Sequence, residues 1–273
     1  MRNRSLGPAG WIALICLAVM LMCAIAPGLL APFDPLAVNP INAFAAPSLT
    51  HPFGTDDSGR DVLSRVIFGA RDSLTIGIVA TLAGLLAGLL LGSVAGGSRS
   101  NALSPVRFVA DRLIEALFSF PGLLLALLLI AVRGPGVPSV VMAVAISTAP
   151  GYARMIRGGV RQALGSGAVE ASRLQGDSAV RVWVRLVLPE SMRPVLVLAT
   201  LGVGQAVVLA AALGFLGLGP PPPSPEWGAM LNAGRAYLMR AWWMTVFPGL
   251  AILLVGIAGA VLGRALERRE AAR

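Results

Sequence analysis

The residues with the most chemical capacity in this chain lie in one segment, residues 170–190, which reads EASRLQGDSAVRVWVRLVLPE. Charged side chains recur along it, although they make up only 13% of the whole chain, against about a quarter in an ordinary soluble domain. No nucleophile–base pair and no cluster of metal-ligand residue types accompanies these charges. The chemistry indicated is therefore ion pairing and docking, and its meaning depends on where the segment lies relative to the rest of the chain.

Titratable residues elsewhere form no catalytic pattern. His51 is the single histidine, so neither an HExxH zinc site nor a histidine-based triad is available. All 22 basic residues are arginine, which excludes a Walker A loop because that loop needs a lysine at the phosphates. Cys16 and Cys23 share one helix face and are interpreted as small buried apolar residues. The chain is predicted not to be an enzyme and to bind no metal or cofactor itself.

The composition predicts a membrane protein. Hydrophobic residues make up 56% of the chain and the mean hydropathy is +0.78. The basic pI of 11.4 does not indicate nucleic acid, because no soluble body that could carry a basic face is visible. Six apolar runs are long enough to cross about 30 Å of hydrocarbon as helices; they cover residues 9–31, 73–96, 113–132, 138–156, 194–216 and 243–263.

The distribution of arginine orients these spans. With the N-terminus in the cytoplasm, 16 of the 22 arginines fall on the cytoplasmic side, counting Arg154 at the cytoplasmic end of the span 138–156, and six fall outside, as the positive-inside rule requires. The predicted localisation is the cytoplasmic (inner) membrane, with both termini cytoplasmic. A cleaved signal peptide is the alternative for the first span, but that run exceeds the usual apolar length of about 7–15 residues.

The predicted organisation has five parts. They are a cytoplasmic N-terminus (1–8), a first transmembrane helix (9–31), an extracytoplasmic segment (32–72), a transmembrane domain (73–263) with a long cytoplasmic loop (157–193), and a cytoplasmic tail (264–273).

A helical hairpin is predicted within the loop 157–193. One helix is expected over 158–174, and Gly176 ends it, because glycine tolerates the left-handed conformation that follows many helices. Asp177 or Ser178 can cap the second helix through a side-chain oxygen.

The second helix of the hairpin is predicted to be amphipathic and to stop at Pro189. Its apolar residues fall at i, i+3, i+4 and i+7, one face of a helix; they are Val180, Trp183, Val184 and Val187. An exposed Trp183 on a short cytoplasmic helix suits the docking of a partner protein. A loop that only holds the topology on anionic headgroups is the alternative.

The spacing in this loop resembles the EAA motif of permease subunits of ATP-binding-cassette (ABC) importers. In that family the short helix of the loop sits in a groove of the ATPase subunit. The third motif position is usually alanine and is Ser172 here. The resemblance implies an ATPase-coupling role for Glu170, Ala171, Ser172, Gly176, Asp177, Trp183, Leu186, Leu188 and Pro189.

Three more stretches are similar to the C-type subunit of the dipeptide/oligopeptide/nickel branch of these permeases. They are FGTDDSGRDVLSRVIFGARDSL (53–74), LGFLGLGPPPPSPEWGAML (213–231) and AWWMTVFPGLAI (241–252). The resemblance implies an all-α membrane protein with six transmembrane helices and a type I ABC importer permease-like fold. The tail, RALERREAAR, is shorter than in many members.

The same resemblance implies the partners. They are a homologous permease subunit, two ABC ATPase subunits that carry ATP and Mg, an extracytoplasmic solute-binding protein and the lipid bilayer. Nucleic acid is not expected as a partner.

Polar residues within predicted spans are candidates for the pathway lining. Gln205 lies mid-span and either lines the pathway or bonds across helices. Glu115 lies near the cytoplasmic end of its span, where Arg112 can pair with it. Pro121 is predicted to kink its helix. A strip of small residues, by contrast, predicts close helix packing; its members are Gly77, Thr81, Gly84 and Gly88.

The outer motif GTDDSGRD, residues 54–61, brings acids and an arginine together. A self-satisfied ionic turn is the first interpretation, and contact with a solute-binding protein is the second. The residues proposed for that contact are Asp56, Asp57, Arg60, Asp61 and Trp227.

The predicted function is a permease subunit that forms half of an import pathway for di- or oligopeptides and couples to cytoplasmic ATPases. A nickel or other small-solute ABC permease and a self-contained ion-coupled secondary transporter are the alternatives. The secondary transporter needs ion-coupling groups near midplane, for which Gln205 alone gives little support. A membrane scaffold without transport is a third hypothesis.

Overall fold

The computed structural model describes residues 8–97 and 104–270, and this part of the chain is helical apart from its connections and one isolated bridge between Thr55 and Asp61. The predicted all-α class is confirmed. Most of the predicted segment 1–8 and the end of the tail 264–273 lie outside the described residues. The described α-helices are α1 (Pro8–Ile25), α2 (Pro27–Leu30), α3 (Val62–Gly96), α4 (Ser104–Ser119), α5 (Gly122–Arg133), α6 (Val137–Leu164), α7 (Gly167–Leu174), α8 (Ala179–Val182), α9 (Leu188–Phe215), α10 (Trp227–Gly234) and α11 (Trp243–Glu270).

Four helices of the described chain are long and apolar enough to span a membrane. They lie within α3, α6, α9 and α11 and correspond to four of the six predicted spans. The apolar part of α1, Gly10–Ile25, is shorter, and the predicted first span 9–31 is interrupted before α2. The number of six transmembrane helices therefore stays a prediction.

The predicted third span, 113–132, is not one straight helix. α4 and α5 meet at a bend of 99°. Pro121 stands between them with a ψ of 126°, and its ring leaves no N–H to continue the helical ladder. The bend is much sharper than the predicted kink, and the pair forms a broken span or a re-entrant loop.

The longest helix, α3, starts well before the predicted second span at residue 73. Asp61 caps it, because its carboxylate accepts hydrogen bonds from the Ser64 N–H at 2.8 Å and the Ser64 hydroxyl at 2.7 Å. Such a cap satisfies an N–H that the first helical turn leaves unpaired. The apolar run begins only later, so the sequence pattern assigned the first turns of α3 to the outer segment.

α3 packs against α6 with almost no side chain between the two backbones. A Cβ atom added at Gly88 would lie 2.6 Å from the Cβ of Tyr152, and one at Gly92 would lie 2.5 Å from the carbonyl oxygen of Ala153. Small residues allow this approach, and between helices in lipid dispersion contacts replace the hydrophobic effect as the main attraction.

The predicted strip of small residues lies where α3 meets two other helices. Gly84 and Gly88 face α6, whereas a Cβ at Gly77 would lie 2.4 Å from a methyl group of Val207 on α9. The buried Thr81 hydroxyl donates to the carbonyl of Gly77 at 2.7 Å. The strip thus serves packing, as the sequence indicated.

The two ends of the bundle differ in construction. The loop end carries the hairpin residues 165–187 between α6 and α9. The far end carries two connecting segments, residues 31–61 and 216–242, which fold onto the start of α3.

Arg65 on α3 ties both far-end segments to the bundle. Its guanidinium donates to the carbonyl oxygens of Pro35 at 3.2 Å, Pro223 at 3.3 Å and Ser224 at 3.3 Å. The residue is 5% exposed, and these carbonyl groups supply the hydrogen bonds that a buried charge needs. One side chain of α3 therefore fixes two connecting segments.

Glu226 fixes the second far-end segment through the N-terminus of α10. Its carboxylate accepts bonds from the N–H groups of Gly228 and Ala229, both at 2.8 Å, and from the Ser73 hydroxyl at 3.2 Å. Trp227 is fully buried and donates its indole N–H to the carbonyl of Val66 at 3.0 Å. Burial raises the pKa of Glu226, and its hydrogen bonds partly offset that rise.

Replacing Gly92 by alanine is expected to destabilise the protein by about 1–3 kcal/mol, because the new methyl group overpacks the α3–α6 contact. The measurement is the thermal unfolding midpoint in detergent. Gly158→Ala on α6 is the matched control, since a Cβ there meets nothing within 4 Å. An equal midpoint for both variants would contradict the close backbone contact.

Replacing Glu226 by alanine is expected to lower stability by about 2 kcal/mol, because it removes a helix cap and leaves buried N–H groups unpaired. Tryptophan fluorescence during thermal unfolding measures the change. Asp57→Ala removes a more exposed carboxylate from the same end and is expected to change stability by less than about 0.5 kcal/mol.

The raised pKa of Glu226 also makes the free energy of unfolding depend on pH. The folded state holds the proton to higher pH than the unfolded state, so wild-type stability falls as pH rises from the ordinary value of 4.5 through the raised one. Glu226→Ala is expected to lose this part of the pH dependence. A variant whose pH profile keeps the wild-type slope would argue against it.

Candidate functional site

The loop end carries a helix–glycine–helix hairpin, as predicted, but the predicted first helix over 158–174 is wrong in its bounds. Residues 158–164 continue α6, the chain breaks at Gly165 and Ser166, and α7 covers only Gly167–Leu174.

Ser166 caps α7 and Ser178 caps α8 through their hydroxyl groups. Gly176 has a φ of +83°, the left-handed region that glycine tolerates best. The backbone N–H of Gly176 donates to the carbonyl oxygen of Arg173 at 3.0 Å, and the backbone N–H of Asp177 donates to the carbonyl oxygen of Ser172 at 3.1 Å. These two bonds form a Schellman motif.

Asp177 holds the two arms of the hairpin together. Its carboxylate accepts the Ser172 hydroxyl at 2.6 Å and pairs with Arg181, also at 2.6 Å. The Ser172 bond and then the Arg181 guanidinium lower the pKa of Asp177. Ser172, which stands where the EAA motif usually has alanine, therefore supplies a bond that alanine cannot make.

One face of the hairpin packs on the bundle. Val169, Val182 and Val187 are each 2% exposed or less and contact a cluster that includes Ile156 and Val160 of α6. This cluster joins the hairpin to α6 through close side-chain packing.

The predicted apolar face of the second hairpin helix is wrong in part. Val180 and Val184 are exposed, but Trp183 is half-buried and Val187 is buried. The reason is the π-helical turn at Trp183–Val187, whose wider repeat changes which side chains share a face. Leu186 and Leu188 are half-buried as well.

Pro189 does not stop the helix as predicted. Helical structure continues from α8 through the π turn into α9, and Pro189 is the second residue of α9. The backbone N–H of Leu188 bonds the carbonyl of Trp183. This five-residue bond occupies the turn where proline supplies no N–H donor.

The exposed surface of the hairpin combines apolar and charged side chains. Glu170 and Ala171 are exposed, and Leu174 and Val180 are 84% and 73% exposed. Arginines surround them on the same arms; Arg173, Arg181 and Arg185 are all exposed. Such a surface suits a groove of a partner protein.

Beside the hairpin, an ion-pair cluster joins α4 to α6. The carboxylate of Asp111 pairs with the guanidinium groups of Arg157 at 2.9 Å and Arg161 at 2.8 Å. Glu115 pairs with Arg112 at 3.2 Å and lies 3.6 Å from Arg157. Glu115 therefore belongs to this cluster, and the structure does not place it among the residues that line the cavity described next.

The cluster of Asp111, Arg157 and Arg161 was not predicted from the sequence. A signal was present, since Asp111 and Glu115 on α4 are four residues apart, as are Arg157 and Arg161 on α6. That spacing puts like charges on one face of each helix.

An open cavity of about 440 Å³ lies on the side of the bundle formed by α4, α5, α6 and α9. Gln205 lines this cavity and is exposed there, and its role in a pathway stays a prediction. Pro121 is exposed at the bend between its neighbours Phe120 and Gly122, which both line the cavity. The other lining residues are Leu117, Phe118, Ser147, Thr148, Pro150, Gly151, Tyr152, Met155, Leu198 and Leu201.

Most of the residues predicted to contact a solute-binding protein are buried at the far end. Asp56 and Asp61 are 5% and 4% exposed, and Trp227 is inaccessible. Arg60 is largely buried beside Asp56 at 2.8 Å, whereas the Asp57 side chain is 36% exposed. The motif forms the ionic turn that was the first interpretation, and only Asp57 offers its carboxylate to a partner.

Comparison with known proteins identifies the family. Residues 84–271 match the family described as binding-protein-dependent transport system inner membrane component. The di/tripeptide transport system permease protein DppC of Pseudomonas aeruginosa (strain UCBPP-PA14) is 41% identical over 260 residues, 93% of this chain and 84% of that protein. The glutathione transport system permease protein GsiD of Escherichia coli O6:K15:H31 (strain 536 / UPEC) is 40% identical, covering 81% of this chain and 72% of its own length.

Solved structures show the same fold. A crystal structure of an amino acid ABC transporter with histidines aligns with a TM-score of 0.60 at 21% identity, covering 76% of this chain and 94% of that chain. An inward-facing MetNI methionine ABC transporter aligns with a TM-score of 0.56 at 23% identity, covering 75% and 96%. Together with the family match and the hairpin geometry, these similarities place the chain in the binding-protein-dependent transport system inner membrane component family, as a permease with the type I ABC importer fold.

Proposed function

We propose that this permease forms half of the pathway of an ATP-driven importer of small peptides, with a homologous permease as the other half. The peptide cargo is carried over from the DppC and GsiD relatives, whose names specify di/tripeptide and glutathione transport. Nickel chelates and other small solutes remain the alternative cargo for this branch.

The observation that carries the proposal is the continuity between the hairpin and the pathway wall. Helical structure runs from α8 into α9, and α9 contributes Leu198, Leu201 and Gln205 to the cavity. A protein that moves the hairpin therefore moves a wall of the cavity directly. This arrangement serves a transporter that is driven from its loop end.

Two ABC ATPase subunits, carrying ATP and Mg, supply that movement in the proposed complex. Each docks on one permease hairpin, with Glu170 and the apolar Leu174 and Val180 at the contact. Nucleotide shifts the permease between inward-facing and outward-facing states only if the two states bind nucleotide with different affinity. This chain transmits that difference and performs no bond chemistry.

The loop end faces the cytoplasm of the inner membrane in this proposal, with both termini on that side. The excess of arginine in segments at this end supports it. An extracytoplasmic solute-binding protein then delivers cargo to the far end, where Arg65 and Glu226 hold the receiving surface in shape.

Replacing Glu170 by arginine is expected to weaken ATPase docking and to reduce peptide uptake about tenfold or more, because a mismatched charge at an interface costs several kcal/mol. The measurement is recovery of the ATPase with the tagged permease from native membranes, together with uptake. Glu190→Arg is the matched charge reversal, exposed but outside the hairpin. Full ATPase recovery with Glu170→Arg would refute the docking role.

Replacing Gly176 by alanine is expected to impair coupling through the backbone alone. A Cβ there meets nothing within 4 Å, but the φ of +83° costs an L-residue about 1–2 kcal/mol. Gly167→Ala is the control, since that site is also open and has no left-handed backbone. We expect lower peptide-stimulated ATP hydrolysis for Gly176→Ala, and equal rates for the two variants would contradict a coupling role for this turn.

A further inference from the structure

The cavity wall is free of ionised side chains but rich in aromatic and hydrogen-bonding groups. Among its lining residues are Phe118, Phe120 and Tyr152, together with Ser147 and Thr148. The volume of about 440 Å³ falls within the range of small-molecule sites, about 300–1,000 Å³. The wall is therefore suited to a small ligand with an apolar body and several polar groups.

The hydroxyl groups on this wall are oriented as acceptors. Ser147 and Thr148 both donate to the carbonyl of Val144 within α6, at 2.9 Å in each case. A hydroxyl that donates internally still has lone pairs for an incoming N–H group. Gln205 on the opposite helix can both donate and accept, so this wall can satisfy amide and ammonium groups.

Arg154 supplies a cation at the edge of this wall. Its guanidinium carbon lies 4.7 Å from the centroid of the Phe118 ring, which lines the cavity. Arg154 is exposed and forms no ion pair with any described residue. By contrast, Arg157 and Arg161, one and two turns further along α6, are both paired with Asp111.

Arg154 lies where the apolar run of α6 ends, one turn before the first of the two paired arginines. Stacking on Phe118 holds the planar guanidinium in place through a cation–π contact. Its N–H groups remain available in the fork arrangement that matches a carboxylate in a bidentate pair. Arg154 thus presents its guanidinium at the edge of the wall that carries acceptors for N–H groups.

We propose that this cavity is an internal cargo site and that Arg154, stacked on Phe118, selects cargo with a free carboxylate. A zwitterionic peptide would place its carboxylate on Arg154, its amide and ammonium groups on Ser147, Thr148 and Gln205, and its side chains against the aromatic rings. The inference rests on the proposed function, since it takes the cargo to be a small peptide.

The test measures equilibrium binding to the assembled transporter in lipid nanodiscs, without nucleotide and without the solute-binding protein. The probes are the dipeptide alanyl-phenylalanine and its C-terminal amide, which differ only in the carboxylate. The variants are Arg154→Gln, Arg154→Lys and, as the matched control, Arg112→Gln. Arg112 is also exposed and also lies over a phenylalanine, Phe108 at 5.1 Å, but away from the cavity lining.

Wild type and Arg112→Gln are expected to bind the free dipeptide at least about tenfold more tightly than the amide, because the carboxylate adds a charge-assisted pair. Arg154→Gln is expected to bring that ratio close to one, mainly by weakening the free dipeptide, and Arg154→Lys to restore part of it. Absence of dipeptide binding to wild type, or a preference retained in Arg154→Gln, would overturn the inference.

A parallel assay separates this inference from the proposed function. ATP-driven uptake of the dipeptide is measured in proteoliposomes that contain the transporter and its solute-binding protein. Uptake without a carboxylate preference in the nanodiscs refutes the internal site alone. If wild type takes up no peptide while ATP hydrolysis responds to another solute, the peptide cargo itself is refuted.

Discussion

The contact between α3 and α6 is the constraint on which the rest of this molecule depends. In lipid, two helices gain no hydrophobic free energy by meeting, so close backbone approach has to supply the attraction. The glycines at 88 and 92 permit that approach because no side chain stands between the chains. With the two helices locked, α6 presents one edge to the ion-pair cluster of Asp111 and another to the cavity. The positions of both follow from this single contact.

The far end depends on the same helix in a different way. There, Arg65 and Glu226 lie in protein rather than water and are held by several backbone groups each. Buried ionic groups stabilise little in net terms, but they lose much free energy if a partner is removed. Their effect is therefore to specify one arrangement of the far-end segments. Trp227, inserted beside them, fills the space that this arrangement leaves.

Features encoded in local spacing could be read from the sequence, and features created by packing could not. The hairpin break at Gly176 and the small-residue strip were recognisable because residue type and periodicity determine them. The prediction that Trp183 is exposed was wrong because a π turn changes which side chains share a face. Nothing in the residue pattern before Pro189 indicates such a turn. Asp56 and Trp227 were assigned to a surface because charge and aromatic character do not reveal what folds over them.

The uninterrupted helical path from α8 to α9 gives the molecule a mechanical property. Helical structure covers the whole path from Val184 to Gln205, a rise of about 30 Å, so a displacement of the hairpin is carried towards the cavity wall. Within this path Pro194 supplies no N–H, which removes one hydrogen bond of the α9 ladder. The π turn is the one place where the winding is wider than in an α-helix. If the π turn moved along the chain by one residue, α9 would rotate about its own axis relative to α8. The hairpin and the cavity wall are thus joined by one helical path whose register can change at a single turn.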